Sequence, residues 1–266
     1  MYMNLKFDHI IHYVDGIESI EFPHQYIQSI QGGKHTQLGT YNQLSYIDLH
    51  YIEWIDVFDA ALARSYAQTE EGRLSFANTF KDTHVQEGFK RICLRTQNID
   101  NVKTHLEQFD LDIVGPIEMS RTKPDGTMIK WQLLYLDDKQ DLNLPFIIQW
   151  GESDEQRAAS LKANFHDDLS IDEVTIQVKN IHESSQNWQS WYGLKEIEKS
   201  ENYIKLSFIE DDVVIKLTED VEEKYTTLSL SSTNIKKTRA FYLKARVTNS
   251  KLICINTEID ALNNNA

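Results

Sequence analysis

A short pattern that occurs four times along the chain limits the fold more than any other feature of the sequence. In each copy an apolar, strand-like segment ends in a polar turn, and an isoleucine then opens a helix-like segment. The four copies occupy residues 10–17, 92–99, 174–181 and 228–235. The closing isoleucines at 17, 99 and 181 are 82 residues apart, and the fourth, at 235, follows after 54. This spacing predicts one supersecondary unit repeated along the chain.

The repeated unit is predicted to contain a strand, a helix and three further strands, or βαβββ. The third copy shows this most clearly, with a helix over residues 183–192 that ends at Gly193, followed by three strand-like segments between 194 and 217. The other helices are predicted over residues 18–30, 100–109 and 236–243. The fold class is therefore predicted to be α+β with two mixed sheets, the C-terminal sheet lacking a last strand. Helices are expected on one face of each sheet.

The same pattern divides the chain into two predicted domains. Residues 1–150 form an N-terminal domain of two units, interrupted by a helical insert at 57–88 where apolar residues recur at helical spacing. Residues 151–169 are charged and read as a linker, and residues 170–266 form a second, incomplete pair of units.

Composition excludes several function classes. The formal net charge of −14 disfavours nucleic acid and anionic membrane surfaces, and no local basic patch offsets it. No apolar run is long enough to span a bilayer, so a cytoplasmic protein is expected. Cys93 and Cys254 both lie within apolar strand-like segments, where a buried thiol is expected. A small-molecule or protein partner remains, and the oligomeric state is left open.

A glycine-rich stretch at residues 32–42, followed by a strand-like segment that carries Glu53, is the first candidate site. Two adjacent glycines permit unusual backbone shapes, and Lys34, His35 and Asn42 bring polar groups to them. Glu53 lies among apolar neighbours, where a carboxylate requires a partner. The alternative is a turn between a helix and a strand, with its polar residues facing water.

Several short motifs together resemble one known family. They are Phe7-Asp8-His9-Ile10, Gly32-Gly33-Lys34-His35, Gly39-Thr40-Tyr41-Asn42, Tyr51-Ile52-Glu53-Trp54, Arg121-Thr122-Lys123-Pro124-Asp125-Gly126, Trp131 and Phe146-Ile147-Ile148-Gln149-Trp150-Gly151. This set resembles the vicinal-oxygen-chelate superfamily, the fold of glyoxalase I and bleomycin-resistance proteins, and within it the bacterial glyoxalase-like domain. The resemblance covers about residues 1–170. It implies cupped sheets with helices on the convex face and a ligand on the concave face.

The resemblance also implies where a metal would bind. The superfamily's metal enzymes take four ligands from the first and last strands of two units, and these positions correspond to His9, Glu53, Arg91 and Gln149. Arginine has no lone pair to offer and keeps its positive charge, so Arg91 breaks this set. Arg91 is expected to attract an anionic ligand group or to pair with Glu53. His9, Glu53 and Gln149 remain as fallback metal ligands.

The sequence therefore favours one function over two alternatives. The favoured function is binding of a small polar or anionic molecule in the N-terminal cup with no cofactor, Glu53 serving as a base if the protein is an enzyme. The first alternative is a lyase, isomerase or dioxygenase that uses a divalent metal. The second is a non-catalytic scaffold for another protein. The predicted ligand-binding residues are Lys34, His35, Asn42, Arg91, Arg121, Gln149 and Trp150.

Overall fold

Two mixed sheets pack against each other through a shared hydrophobic core. The computed structural model describes residues 3–19, 27–80, 85–122, 126–140, 142–234 and 251–256, the last of these by backbone alone. The core joins Phe7, Ile92 and Leu134 from one sheet to Val174 and Leu228 from the other. Because side chains of both sheets are buried in this one core, each sheet stabilises the other.

The first two units form an eight-stranded sheet. The first unit supplies β1 (Lys6–Tyr13), β2 (Ile30–His35), β3 (Thr40–Tyr46) and β4 (Tyr51–Val57). Helix α1 (Ala60–Ala67) and a 3₁₀ helix (Phe76–Phe80) follow. The second unit supplies β5 (Gly88–Arg95), α2 (Ile99–Leu106), β6 (Asp112–Thr122), β7 (Met128–Asp137) and β8 (Phe146–Trp150). The strand order is β2-β3-β4-β1-β5-β8-β7-β6.

The remaining units form a six-stranded sheet. Helix α3 (Asp154–Leu161) leads into β9 (Leu169–Val178), α4 (Ile181–Tyr192), β10 (Lys195–Lys199), β11 (Tyr203–Ser207) and β12 (Val214–Glu219). The fourth unit supplies β13 (Lys224–Ser232) and β14 (Lys251–Asn256). The strand order is β10-β11-β12-β9-β13-β14.

Strand pairing confirms the predicted α+β fold of repeated βαβββ units in two curved mixed sheets. In each unit the last strand runs parallel to the first, as β4 does beside β1 and β8 beside β5. The first strands of neighbouring units then pair antiparallel at the centre of each sheet, β1 with β5 and β9 with β13. A repeated unit whose last strand returns to lie beside its first strand produces this pairing.

One detail of the second sheet differs from the prediction. Strand β14 runs parallel beside β13, which is the place of a last strand. The last strand is therefore present, and within the described residues the fourth unit supplies its first and last strands. The helix predicted at 236–243 lies outside the described residues.

Helices α2 and α4 lie on the convex side. Helix α2 buries Ile99, Val102 and Leu106 in the core between the sheets, and α4 buries Trp188 and Trp191 there. The insert differs, because Ala63, Phe76 and Phe80 pack against residues of the concave face, including Ile11, Ile55 and Phe146. None of the described helices is both long and apolar enough to cross a membrane.

The paired glycines do not form the expected turn between a helix and a strand. Residues 17–19 form a short 3₁₀ helix, and Gly32 and Gly33 lie within β2. The turn comes later, between His35 and Gly39, and Gly39 has the positive φ of 67° that a left-handed position needs. The helix predicted over 18–30 was therefore wrong at its C-terminal end, where Ile30 begins β2, and residues 20–26 of that prediction lie outside the described residues.

The eight-stranded sheet curls until its two outer strands touch. A Cβ atom on Gly33 of β2 would lie 3.0 Å from Cδ of Arg121 on β6, although these strands stand at opposite ends of the sheet. Gly33, at φ 138°, thus leaves room for the stem of Arg121. We call this contact between β2 and β6 the seam. It closes one side of the concave face, which thereby forms a pocket that is partly open to solvent.

Asp211 of the second sheet's β11–β12 connection ties the two sheets together. Its Oδ2 accepts hydrogen bonds from the backbone N–H of Phe7 and from Nε2 of His50, each at 3.0 Å. Nδ1 of His50 lies 2.8 Å from Asp48. Burial lowers the pKa of His50, but hydrogen bonds to Asp211 and Asp48 outweigh this and raise it to about 9.

The stability of the protein should therefore depend on His50 between pH 6.5 and about 9. A raised pKa stabilises the folded state below the unfolded value of 6.5, and this contribution is lost as the pH rises through about 9. A shift of this size corresponds to roughly 3 kcal/mol. Urea unfolding at pH 6 and pH 9.5 should show a loss that His50→Gln reduces by roughly 3 kcal/mol, whereas the exposed control His182→Gln keeps it in full. The part of the loss that belongs to His9, whose pKa is also raised, remains in both variants. An equal loss in His50→Gln would contradict this assignment.

Candidate functional site

The concave face of the eight-stranded sheet holds a pocket with mainly apolar walls. A water molecule's centre can reach about 90 Å³ of it, within about 680 Å³ of atom-free space that is partly open to solvent. Five polar side chains face it: His9, His35, Asn42, Glu53 and Arg121. The apolar and aromatic lining consists of Ile11, Leu38, Leu44, Tyr51, Ile55, Phe76, Met119, Trp131, Leu133, Tyr135, Phe146, Ile148 and Trp150.

A β-bulge in β1 places an acidic residue behind the pocket. The register with β5 shifts between Phe7 and His9, so that Asp8 has no partner residue across the strand pair. Asp8 is fully buried, and its Oδ1 lies 2.8 Å from Nδ1 of His9. The bulge thereby allows two consecutive side chains to contact each other.

His9 connects Asp8 to Glu53. Its Nε2 lies 3.3 Å from Oε2 of Glu53, and its ring stacks on Tyr51 with centroids 4.5 Å apart. Burial would lower the pKa of His9, but Cys93, Asp8 and Glu53 together raise it well above its usual value. His9 is therefore an imidazolium near neutral pH, with both N–H groups directed at carboxylates.

Glu53 is ionised in this setting. Burial would raise its pKa, but the hydrogen bond and charge of His9, together with His35 and Asn42, lower it to about 2. Nδ2 of Asn42 donates to Oε1 of Glu53 at 2.5 Å. Gly32 makes room for this amide, since a Cβ atom there would lie 2.0 Å from Oδ1 of Asn42. The sequence predicted Arg91 as the positive partner of Glu53, but the charge that lowers the pKa of Glu53 most is that of His9.

The negative charge of Asp8 is balanced by the positive charge of Arg157, which comes from the segment predicted as a linker. Nη1 of Arg157, in α3, lies 3.4 Å from Asp8 Oδ2, and Nε1 of Trp150 donates to the same oxygen at 3.0 Å. The Arg157 guanidinium also lies 4.3 Å from the centroid of the Trp150 ring. Arg157 and His9 hold the pKa of Asp8 well below its usual value, although burial acts in the opposite direction. Neither Asp8 nor Arg157 was among the predicted site residues.

Arg91 faces the concave side but does not line the pocket. Its guanidinium donates to the backbone carbonyls of Leu74, Leu136 and Leu144. It lies beneath the rings of Tyr135 and Phe146, 5.4 Å from each centroid. Among the described residues it forms no ion pair, so the expected pairing with Glu53 is not observed.

Gln149 lies on the other face of the sheet. Its Oε1 accepts from the backbone N–H of Ile99 at 2.7 Å, which caps the start of α2 on the convex side. The register explains the mismatch. Ile11 pairs with Glu53, and its counterpart 82 residues on, Cys93, pairs with Phe146. Phe146, and not Gln149, is therefore the position equivalent to Glu53.

The structure brings together five of the predicted site residues and separates three. His35, Asn42, Glu53, Arg121 and Trp150 line the pocket. Lys34 lies outside it in a groove along the seam, with Nζ 5.1 Å from the ring of Phe58, while Arg91 and Gln149 are directed elsewhere. His35 is held by Thr40, whose Oγ1 lies 3.0 Å from its Nδ1, and burial lowers its pKa.

Comparison with known proteins identifies the family. The family model described as glyoxalase-like domain matches residues 7–192. The chain belongs to the glyoxalase-like domain family. A solved hypothetical protein from Staphylococcus aureus is 36% identical, with a TM-score of 0.82 over 86% of this chain and 92% of that one. A comparison with curated proteins gives no match. The resemblance to the vicinal-oxygen-chelate superfamily is thus confirmed.

More distant structures share the fold of this glyoxalase-like domain. The Mn(II)-bound glyoxalase from Novosphingobium aromaticivorans is 9% identical, with a TM-score of 0.55 over 92% of this chain and 71% of that one. The 2,3-dioxygenase LapB from Pseudomonas sp. KL28 is 14% identical, with a TM-score of 0.52 over 92% of this chain and 81% of that one. The first of these structures holds Mn(II). At such low identity the likeness shows the fold alone, so a metal site in this chain depends on its own donor atoms.

The residues of this glyoxalase-like domain do not fit the superfamily's metal site. Two of the four positions supply donors, His9 and Glu53, and these bind each other. Arg91 has no lone pair, and its guanidinium is already bonded to carbonyls. The fourth position is Phe146, which has no donor atom. A catalytic cation needs three protein ligands and an open position, and this set falls short.

One other cluster of donor atoms occurs among the described residues. Asp8, His9 and Cys93 are buried and place their ligand atoms within 4.8 Å of one another. Asp8 is already bonded to Trp150 and Arg157. Burial raises the pKa of the Cys93 thiol to about 12, so it is neutral near pH 7. This cluster reads as a hydrogen-bonded support for His9.

Proposed function

We propose that this glyoxalase-like domain binds a compact, mostly apolar anion in the concave pocket, without a resident divalent metal. The observation that carries the proposal is Arg121. Its side chain lines the pocket, its Nε is buried without a hydrogen-bond partner, and it forms no ion pair with any described residue. A guanidinium in this position lacks the anion that would satisfy it.

The charges around the pocket support an anionic ligand. The negative charges of Asp8 and Glu53 are balanced by Arg157 and the protonated His9. Arg91 and Arg121 then remain as uncompensated positive charges, one beneath the aromatic wall and one at the seam. Low-dielectric walls focus such a potential into the cleft, even on a chain with a net charge of −14.

The walls support an apolar body for the same ligand. Six aromatic rings, those of Tyr51, Phe76, Trp131, Tyr135, Phe146 and Trp150, enclose the space together with aliphatic side chains. Pockets of this composition, with a few placed polar groups, are typical of small-molecule sites. A single ring with short substituents suits the limited volume. Because the protein has such a pocket, we favour small-molecule binding over the alternative of a non-catalytic scaffold.

Proton transfer by Glu53 is the second candidate function. It is favoured by the position of Glu53 in the pocket wall beside a protonated histidine. A carboxylate with a pKa of about 2 is a weak base near neutral pH, however, because proton transfer is most efficient when the pKa lies near the working pH. Binding therefore ranks above catalysis.

Tryptophan fluorescence provides a direct test, because Trp131 and Trp150 line the pocket. We expect saturable quenching or enhancement by 4-methylbenzoate and at least tenfold weaker binding of the neutral 4-methylbenzamide. Arg121→Met should weaken 4-methylbenzoate binding by roughly 10- to 100-fold, because a hydrogen bond to a charged group contributes about 1.5–3 kcal/mol. The exposed control Arg64→Met should bind as the unmodified protein does.

Two results would contradict the proposal. One is equal affinity for the acid and the amide, or for the unmodified protein and Arg121→Met. The other is tight one-to-one binding of zinc, nickel, manganese or iron(II) in calorimetry that Glu53→Ala abolishes, which would restore the metal-enzyme alternative.

A further inference from the structure

Two opposite charges face the same pocket without pairing with each other. Glu53 enters from β4 and Arg121 from β6, and no ion pair joins them. His35 lies near both, since the charge of Glu53 raises its pKa and that of Arg121 lowers it, burial being the larger, lowering influence. The His35 ring is held in place by Thr40 and lines the same pocket as both charges. A ligand that fills the pocket can therefore meet both groups.

Glu53 retains capacity to accept another hydrogen bond. One oxygen accepts from Asn42 and the other lies against His9, so each still has a free lone pair. Glu53 is 8% exposed and forms part of the pocket wall, which makes it reachable from inside the pocket. It is an acceptor only, because it is ionised.

The group that suits Glu53 is a neutral donor and not an ammonium. The charge of Glu53 is already matched by His9, with which it is in contact. An additional cation would be repelled by His9, Arg91 and Arg121, and none of the described residues that line the pocket offers an unpaired carboxylate to offset this repulsion. Repulsion between like charges is strong in a low-dielectric cavity. A hydroxyl adds no charge and donates one hydrogen bond.

We infer that the ligand is a compact hydroxy acid, with its carboxylate at Arg121, its hydroxyl donating to Glu53 and an apolar body between them. This inference rests on the proposed binding function and adds the second polar end. Arg121 then selects for the acid, and Glu53 selects for the hydroxyl. Asn42 is a positioning residue, because its amide holds the Glu53 carboxylate in place.

Four probes on one ring test the inference by calorimetry or tryptophan fluorescence. They are 4-methylbenzoate, 4-(hydroxymethyl)benzoate, 4-(methoxymethyl)benzoate and 4-methylbenzyl alcohol. We expect the hydroxymethyl acid to bind at least tenfold tighter than the methyl acid. The methoxymethyl acid, which has no donor, should lose this gain, and the alcohol without the acid should bind weakest. These comparisons use the unmodified protein, so they do not depend on how a variant folds.

Variants then locate the two ends. Glu53→Gln replaces one acceptor oxygen by an NH₂ donor and leaves a weaker, neutral acceptor, so it should reduce the advantage of the hydroxymethyl acid over the methyl acid severalfold. Arg121→Met should keep that ratio and weaken both acids together. If the methyl acid binds and the hydroxyl adds nothing, or if the methoxymethyl acid binds equally well, the inference is overturned while the proposed function stands. If neither acid binds, the proposed function fails, and the inference fails with it.

Discussion

Replacement of Arg157 by methionine is expected to lower the free energy of unfolding by about 3–5 kcal/mol, the cost of leaving one partner of a buried ion pair alone. Asp8 is fully buried, and Arg157 is 3% exposed. Methionine keeps much of the apolar contact with Trp150 but removes the charge that faces Asp8. Urea unfolding of Arg157→Met beside the exposed control Arg64→Met measures the difference.

A double substitution distinguishes the loss of the charge from the loss of packing. Asp8→Asn combined with Arg157→Met removes both charges, and it should be more stable than the sum of the two single effects predicts. An additive result would show that Asp8 does not depend on Arg157. Since Arg157 comes from the segment at 151–169, a large effect would also show that this segment belongs to the folded N-terminal unit energetically.

Replacement of Arg91 by methionine should have a comparable effect, about 3–5 kcal/mol, because two buried carbonyls and one partly buried carbonyl would each lose a donor, at about 1–3 kcal/mol each before relaxation. Arg91 holds Leu74 of the insert together with Leu136 and Leu144 of the β7–β8 segment. Arg91→Lys should recover part of the stability, since an ammonium can reach fewer of these carbonyls in the same geometry.

Binding measurements on the same variants decide between structure and recognition. As a structural residue, Arg91 should affect stability far more than affinity, and 4-methylbenzoate should bind to the folded Arg91→Met protein only a few times more weakly. A stable variant that has lost most of its affinity would restore the sequence-based assignment of Arg91 to the ligand.

The repeat made the fold predictable from the sequence. Its four copies fixed which strands begin each unit, and the pairing of β1 with β5 and of β9 with β13 follows from that order. The outer limits of the elements were less predictable. Residues 18–30 include several apolar side chains and were predicted as a helix, but Ile30 at their end pairs with Leu44 of β3 and so belongs to β2. Pairing between strands depends on tertiary contacts, which the local sequence does not encode.

The candidate site was predictable where side chains alternate along a regular strand. Glu53 and Asn42 face the pocket together for this reason. The match between Glu53-Trp54 and Gln149-Trp150 was wrong because the two tryptophans lie on opposite faces of the sheet. Trp54 belongs to the core on the convex side, whereas Trp150 lines the pocket. The residues that precede them, Glu53 and Gln149, therefore also lie on opposite faces. Similar motifs gave the wrong register, and only strand pairing supplies the right one.

Asp8 and Arg157 were missed for different reasons. Asp8 has the same signal as Glu53, an acidic residue within an apolar strand, but strict alternation along β1 would place it on the face opposite His9. The bulge that brings the two together has no signature in the sequence. Arg157 lies on a short charged helix typical of a solvated surface, and its contact with Asp8 spans 149 residues.

The seam also bears on how the protein avoids sticking to other copies of itself. Strands at the ends of an open sheet present unpaired N–H and C=O groups, which invite pairing with other chains and aggregation. Here the ends, β2 and β6, curl towards each other, and the stem of Arg121 covers Gly33, the residue with no side chain to shield its own backbone. Arg121, which we place at the ligand's carboxylate, thus also shields the edge of the sheet at Gly33. A substitution made to alter recognition at position 121 would leave that edge less protected, so low solubility in such variants would have a cause separate from the loss of binding.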